Sequence, residues 1–363
     1  MKLLNKSFDG LDPNFKGHLS SNPWTLCIGA GVSFSLVPTW YNLTKNVVND
    51  AFGWDCNADD FDDLASKTGW SLDSLLQGAS NKLDMDGKPK ETFNNLLEQY
   101  LYHDLLESVG TPLLKTALKK GLSDPRVLNR QEASALLDFF ETHHKQSTLN
   151  QLTEVLDQAR TKERLPLSII NFNADTLLHL LLDVKNMVRN NPDKKSWNLP
   201  KSQFMKSFRG VQKSYQNVVP IHHCHGAISP RDNGLKNNKD ARHNIVFREN
   251  EYLEIAGTAT TWAQTLCLYH AQNSHFLIIG HSLSDPNIRK WLAWSHQNHI
   301  KELGQFLPEG SSVSPRHIWI NVKPQDSKQQ ELMEISLLHI GVRVCWIESW
   351  NDVEKCLNNL LAL

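Results

Sequence analysis

The sequence predicts an α/β fold: a largely parallel sheet covered by helices on both faces, with a large helical block set in near its start. Three observations predict it. Short apolar runs rich in strand formers alternate with amphipathic stretches through the C-terminal half of the chain. Several of those runs end in glycine or a polar turn. A long stretch after the first run has helical spacing and no convincing strand.

The first run is Trp24–Ile28, preceded by Pro23 and closed by Gly29. It is short and apolar throughout, as a buried strand is. Gly29-Ala30-Gly31 then turns the chain, and a helix is expected soon after. From 41 to 161, segments such as 91–102 and 131–140 place apolar residues three and four apart. This divides the chain into a core of residues 1–40 and 162–363 and a helical subdomain of residues 41–161. Further strands are expected at 165–171, 218–222, 244–247, 275–280, 316–322 and 342–347. Helices are expected at 175–188, 249–273, 286–299, 328–338 and 350–361. Strands separated by helices favour parallel pairing.

Bulk properties exclude several classes. The formal net charge of −1 gives no global field to attract nucleic acid or an anionic membrane. The six cysteines form no C-x-x-C pair, which suits reduced thiols in a cytosol and argues against a four-cysteine zinc module. The most apolar stretch, 276–279, is far too short to span a bilayer, and the N-terminal segment lacks a signal-peptide core. A cytoplasmic protein without membrane contact is expected.

Two charge clusters stand apart. Asp55, Asp59, Asp60, Asp62 and Asp63 suggest a calcium loop, but its glycine and glutamate positions hold Asp60 and Ser66. A solvated loop and helix start is the expected reading. Residues 185–213 carry Lys185, Arg189, Lys194, Lys195, Lys201, Lys206, Arg209 and Lys213 against Asp193 alone. That is a basic loop, read either as solvated surface or as a dock for a partner or nucleic acid.

Four segments carry chemistry. In Ile28-Gly29-Ala30-Gly31-Val32-Ser33, a strand feeds a glycine turn, where backbone N–H groups at a helix start can hold a pyrophosphate. The third glycine of the common dinucleotide fingerprint is absent. In Ile170-Asn171-Phe172-Asn173-Ala174-Asp175-Thr176, a strand end opens a helix. Asp175 fits a helix cap as well as chemistry, and Asn173 fits either a turn or an amide orienting a ribose hydroxyl or water. Pro220-Ile221-His222-His223-Cys224-His225-Gly226 packs its ligands too closely for the usual zinc spacing. His225 reads as a general base near neutral pH, with an unperturbed value of about 6.5, or as a satisfied buried histidine. After the run 276–279, Gly280 and Ser282 are placed to touch a ribose, while Asp285-Pro286 is a helix start.

Together, in this order, these segments resemble the sirtuin-like superfamily. Its pattern is a glycine-alanine-glycine turn followed by proline, an asparagine–aspartate strand end, a histidine–glycine pair, and a final glycine-serine-leucine loop. The matching residues are Gly29, Ala30, Gly31 and Ser33 with Pro38 and Trp40, then Asn173 and Asp175, then His225 and Gly226, then Gly280, Ser282, Leu283 and Asp285. The resemblance spans about residues 22–44 and 165–300. Protein-deacetylating sirtuins carry two C-x-x-C pairs for zinc, and here the helical stretch stands instead. The chain therefore looks like the bacterial antiphage-defence branch, whose members resemble NAD hydrolases. Ala174 replaces that branch's usual aromatic, so Asn171 competes with Asn173 for the role of catalytic amide.

The resemblance implies a Rossmann-like core that takes NAD as substrate and needs no metal. It implies catalytic roles for Asn173 and His225, with Gly29, Ala30, Gly31, Ser33, Asp175, Gly280, Ser282 and Asp285 around the dinucleotide. Members of this branch are similar to oligomeric effectors whose partner is a HerA-type ATPase or a short Argonaute, and nucleic acid would then be met through the partner or the basic loop. The competing readings are a protein deacylase and a regulatory module that binds NAD or ADP-ribose without turnover.

Overall fold

The computed structural model describes residues 7–190, 204–207, 218–230, 245–258, 261–306, 308 and 313–363. Eight strands form one sheet: β1 (Ser7–Asp9), β2 (Trp24–Ile28), β3 (Ile169–Asn171), β4 (Phe204–Ser207), β5 (Val219–His223), β6 (His275–Ile279), β7 (His317–Val322) and β8 (Val342–Ile347). Their spatial order is β1-β8-β7-β6-β2-β3-β5-β4, and every neighbouring pair is parallel.

The apolar runs explain this arrangement. Parallel strands need crossovers, and crossover helices bury both faces of the sheet. Alternate residues accordingly enter two cores. Leu26, Ile28, Ile169, Leu277, Ile279, Cys345 and Ile347 face one of them. Cys27, Ile170, Phe276, Ile278, Val344 and Trp346 face the other. This is the α/β, Rossmann-like architecture that the alternation predicts.

Residues 40–161 form seven α-helices and, among the described residues, no strand: α1 (Trp40–Phe52), α2 (Ala58–Thr68), α3 (Leu72–Met85), α4 (Thr92–Ser108), α5 (Pro112–Ser123), α6 (Arg130–His143) and α7 (Thr148–Thr161). Local chemistry sets their ends. The Thr39 hydroxyl caps α1, a capping box of Asn129 and Glu132 opens α6, and Gly53 at φ 67° closes α1. The acidic cluster sits at the start of α2, where Asp59 and Asp60 complement the helix dipole.

The remaining helices are α8 (Leu177–Asn190), α9 (Glu249–Gly257), α10 (Trp262–Asn273), α11 (Pro286–Gly304), α12 (Ser327–Leu338) and α13 (Val353–Leu361). No described helix is long and apolar enough to cross a membrane.

Several expectations are corrected. No strand forms at 245–247, where the chain is irregular; residue 244 lies outside the described residues. The Val246 N–H donates to the His225 carbonyl (2.9 Å). The expected helix 249–273 is two helices, because Gly257 and Thr258 end the first and Thr261 caps the second. The edge strands β1 and β4 were not foreseen; they have three and four residues and little pattern of their own. The basic run lies mostly outside the described residues. Lys185 and Arg189 are not loop residues: both sit on α8, paired with Glu154 of α7 at 3.0 Å.

Chain order reverses at β2. From β2 the chain runs outward on one side through β3 and β5, then returns to lay β6 on the other side. In open parallel sheets, ligands bind outside the carboxyl ends of strands at such a switch point.

Candidate functional site

The strands β6, β2, β3 and β5 are consecutive in the sheet, and each carries one of the four segments at its carboxyl end. Residues up to 251 positions apart in sequence, from Gly29 to Gly280, thereby share one edge.

The loop after β2 is a single 3₁₀ turn, Ala30–Ser33, and α1 begins only at Trp40. The Gly29 N–H donates to the Ile279 carbonyl (3.1 Å) and the Gly31 N–H to the Gly280 carbonyl (2.8 Å). A 3₁₀ turn rather than an α-helix therefore follows the glycines directly, and these two N–H groups are already bonded. The glycines answer first to packing. A Cβ on Gly29 would lie 2.6 Å from the Gly280 oxygen, and one on Gly280, at φ +65°, would lie 2.4 Å from the Val32 nitrogen. Ala30 and Gly31 remain exposed at the edge, and Ser33 is buried behind them.

Asn171 and Asn173 have different surroundings at the end of β3. The Asn171 Oδ1 accepts the Asn173 N–H at 2.8 Å, which fixes the turn. The Asn173 carbonyl accepts from the His223 Nδ1 at 3.2 Å. The Asn173 Nδ2 lies 3.5 Å from the Ser33 hydroxyl, while its Oδ1 is buried with no hydrogen-bond partner among the described residues. An unpartnered buried acceptor is costly unless something else satisfies it. Asp175, buried beside them, accepts the Leu177 N–H at 3.0 Å and so caps α8. Burial pushes its pKa up, and hydrogen bonds from Leu177 and Ser33 restrain that rise.

His225 follows β5. Its ring stands edge-on to Phe172 (5.0 Å between centroids) and to Tyr252 of α9 (5.6 Å). It is 9% exposed, and burial lowers its pKa to about 4. This lies below the unperturbed value of about 6.5 and favours the neutral imidazole, with its lone pair available, at pH 7. Phe172 also stands edge-on to His281 (5.4 Å). Trp40 packs on Phe247 (4.9 Å), and Arg248 reaches the Ser80 hydroxyl of α3 at 3.0 Å. The helical block thus holds the segment that brings Tyr252 over His225.

The loop after β6 is held from within. The Leu283 N–H donates to the His281 Nδ1 (2.8 Å), and Leu283 is buried with φ +53°, a conformation that costs a branched side chain about 1–2 kcal/mol. The Ser282 and Ser284 hydroxyls bond each other at 2.6 Å on the surface. Asp285 caps α11 through the Asn287 N–H (2.7 Å).

Residues 168–340 match a family model described as a SIR2-like domain. That match supports a place in the sirtuin-like superfamily. It covers β3 to α12 and so includes three of the four segments, while the glycine turn after β2 precedes it. No curated protein matches the chain. A SIR2-like domain points to NAD-related activity.

Within the matched residues, His222 and His223 alternate across β5. His222 faces Trp262 (5.6 Å), and His223 faces the Asn173 loop. Among the described residues no group of three or more histidine, cysteine, aspartate or glutamate side chains is arranged to hold a metal ion, and all six cysteines are free thiols. Sequence reasoning missed Phe172, Tyr252 and His281 as neighbours of His225, and Tyr102 of α4 behind both loops. Phe172 and His281 lie inside quoted segments and could have been found there. Tyr252 and Tyr102 carry no local signal. A cavity of about 250 Å³, lined in part by Glu98, His103, Lys115 and Lys119, lies on the α4–α5 side of Tyr102 rather than at the strand ends.

Proposed function

We propose that this chain hydrolyses NAD to nicotinamide and ADP-ribose. The observation that carries the reading is the pair of buried groups at adjacent strand ends: the unpartnered Asn173 Oδ1 and the neutral His225 imidazole. As the bond from ribose C1′ to nicotinamide breaks, its electron pair leaves with nicotinamide and C1′ gains oxocarbenium character. Water then bonds to C1′ and gives up a proton. The Asn173 Oδ1 suits holding that water or a ribose hydroxyl, and the His225 lone pair suits taking the proton. The apolar walls from Phe172 and Tyr252 would keep bulk water out and strengthen both interactions.

In this reading the exposed Ala30–Gly31 backbone meets the pyrophosphate, with Gly29 and Ser33 shaping the turn. Gly280 and Ser282 meet the adenosine ribose. Asp175 and Asp285 hold the helix starts from which these loops emerge. The lack of C-x-x-C pairs and the helical stretch 40–161 favour hydrolysis over deacylation. The wider proposal is a cytoplasmic, oligomeric NAD-depleting effector of bacterial antiphage defence, released by a partner such as a HerA-type ATPase or a short Argonaute.

The test is incubation of the purified protein with NAD at neutral pH, with His225→Ala beside it and products separated by chromatography. Nicotinamide and ADP-ribose from the parent alone are expected. A well-folded His225→Ala protein that consumed NAD at the parental rate would overturn the assignment.

A further inference from the structure

Tyr102 lies on α4, outside the SIR2-like domain, yet its hydroxyl ends between the two loops that carry Asn173 and His225. It donates to the Ile228 carbonyl at 2.6 Å and accepts the Thr176 N–H at 3.1 Å. The Ile228 N–H in turn donates to the Ala174 carbonyl at 2.7 Å. These bonds link residues 174–176 to residue 228 both directly and through one phenol. The Thr176 hydroxyl donates to the Leu122 carbonyl (2.6 Å) and Ser123 bonds the Pro230 carbonyl, so α5 grips the same two loops.

The geometry is that of a brace. Tyr102 is 1% exposed, and burial raises its pKa, so the hydroxyl stays protonated and can donate and accept at once. Thr176 immediately precedes the first residue of α8, where N–H groups have no intrahelical partner. The phenol supplies one. A tyrosine ring has few rotatable bonds, so packing alone fixes where its oxygen sits.

We propose that Tyr102 is a positioning residue that sets the spacing between the Asn173 and His225 loops, and that the helical block thereby controls the alignment of the site. The proposal rests on the NAD-hydrolase reading for its effect on turnover, but not for its effect on the loops. Tyr102→Phe keeps the ring and removes the bridge. Tyr100→Phe is the control: it removes a hydroxyl from the same helix that, among the described residues, bonds Asp50 at 2.8 Å.

Steady-state kinetics with NAD and amide exchange are measured on the parent and both variants. Tyr102→Phe is expected to lower kcat by about 10- to 100-fold with KM changed less than about threefold, the pattern of misalignment rather than lost binding. Amides in both 173–176 and 226–229 should exchange at least about tenfold faster, while Tyr100→Phe matches the parent in both assays. A Tyr102→Phe protein that is less stable but retains parental kcat and parental exchange in either loop overturns the proposal. If the parent by itself releases no nicotinamide, turnover awaits its partner and exchange alone judges the brace. If Tyr102→Phe does not fold, the parental Thr176 amide decides: protection of at least about tenfold supports the bond, and exchange at an unprotected rate refutes it.

Discussion

Replacing Gly280 by alanine adds one methyl group where two loops touch through their backbones. At φ +65° the side chain costs about 1–2 kcal/mol for the left-handed conformation alone. The new Cβ would also stand 2.4 Å from the Val32 nitrogen, 2.7 Å from its Cγ2 and 2.9 Å from the Gly31 carbon. Two of these atoms are backbone and cannot rotate away. Relief requires the loops to part, which lengthens the 2.8 Å bond from the Gly31 N–H to the Gly280 carbonyl. Overpacking of this kind costs about 1–3 kcal/mol, so the total is about 2–5 kcal/mol. That is a large share of a stability of about 5–15 kcal/mol. The assay is denaturant unfolding of the parent, Gly280→Ala and the control Gly78→Ala, read as the midpoint at constant slope. Gly78 lies within α3 with nothing within 4 Å of an added Cβ, so alanine there should stabilise by about 0.5–1 kcal/mol. If Gly280→Ala unfolds within about 0.5 kcal/mol of the parent, loop packing is not what requires glycine here.

Other predictions follow from the same geometry. If His225 is the base, only its protonation below about pH 4 removes the lone pair, so kcat/KM should hold about nine-tenths of its plateau at pH 5. An inflection near about 6.5, the unperturbed histidine value, would show that the essential base is not in this environment. Glu154→Ala removes the ion-pair partner of the Lys185 ammonium, whose side chain is 1% exposed, and leaves it, among the described residues, bonded to the Asn150 carbonyl at 3.3 Å. It should destabilise by about 3 kcal/mol, and Lys185→Met by clearly less, because an unpaired buried charge costs more than an apolar replacement. Equal losses in thermal or denaturant unfolding would count against a buried, desolvated pair.

The sequence by itself determined the layers and the ends of elements. Runs such as Trp24–Ile28 and Val342–Ile347, apolar almost throughout, read as strands covered on both faces, and the short polar signal at Asp285-Pro286 marks a helix start through a bond of two residues' reach. The four segments were legible for the same reason: each is a local strand end. What a local pattern cannot hold is which strands become neighbours. The tertiary structure decided that β6, β2, β3 and β5 stand side by side, that β1 and β4 add edges with no pattern of their own, and that the Gly29 and Gly31 N–H groups are spent on the end of β6 and the loop after it. It also decided the surroundings of His225, since burial lowers its pKa and the rings packed on it, Phe172 and Tyr252, come from another strand end and another helix. Tyr102, 123 positions before His225, reaches the site only because α4 packs there. Hydrogen bonds and desolvation act over a few ångströms of space, and only the folded chain sets which residues are that close.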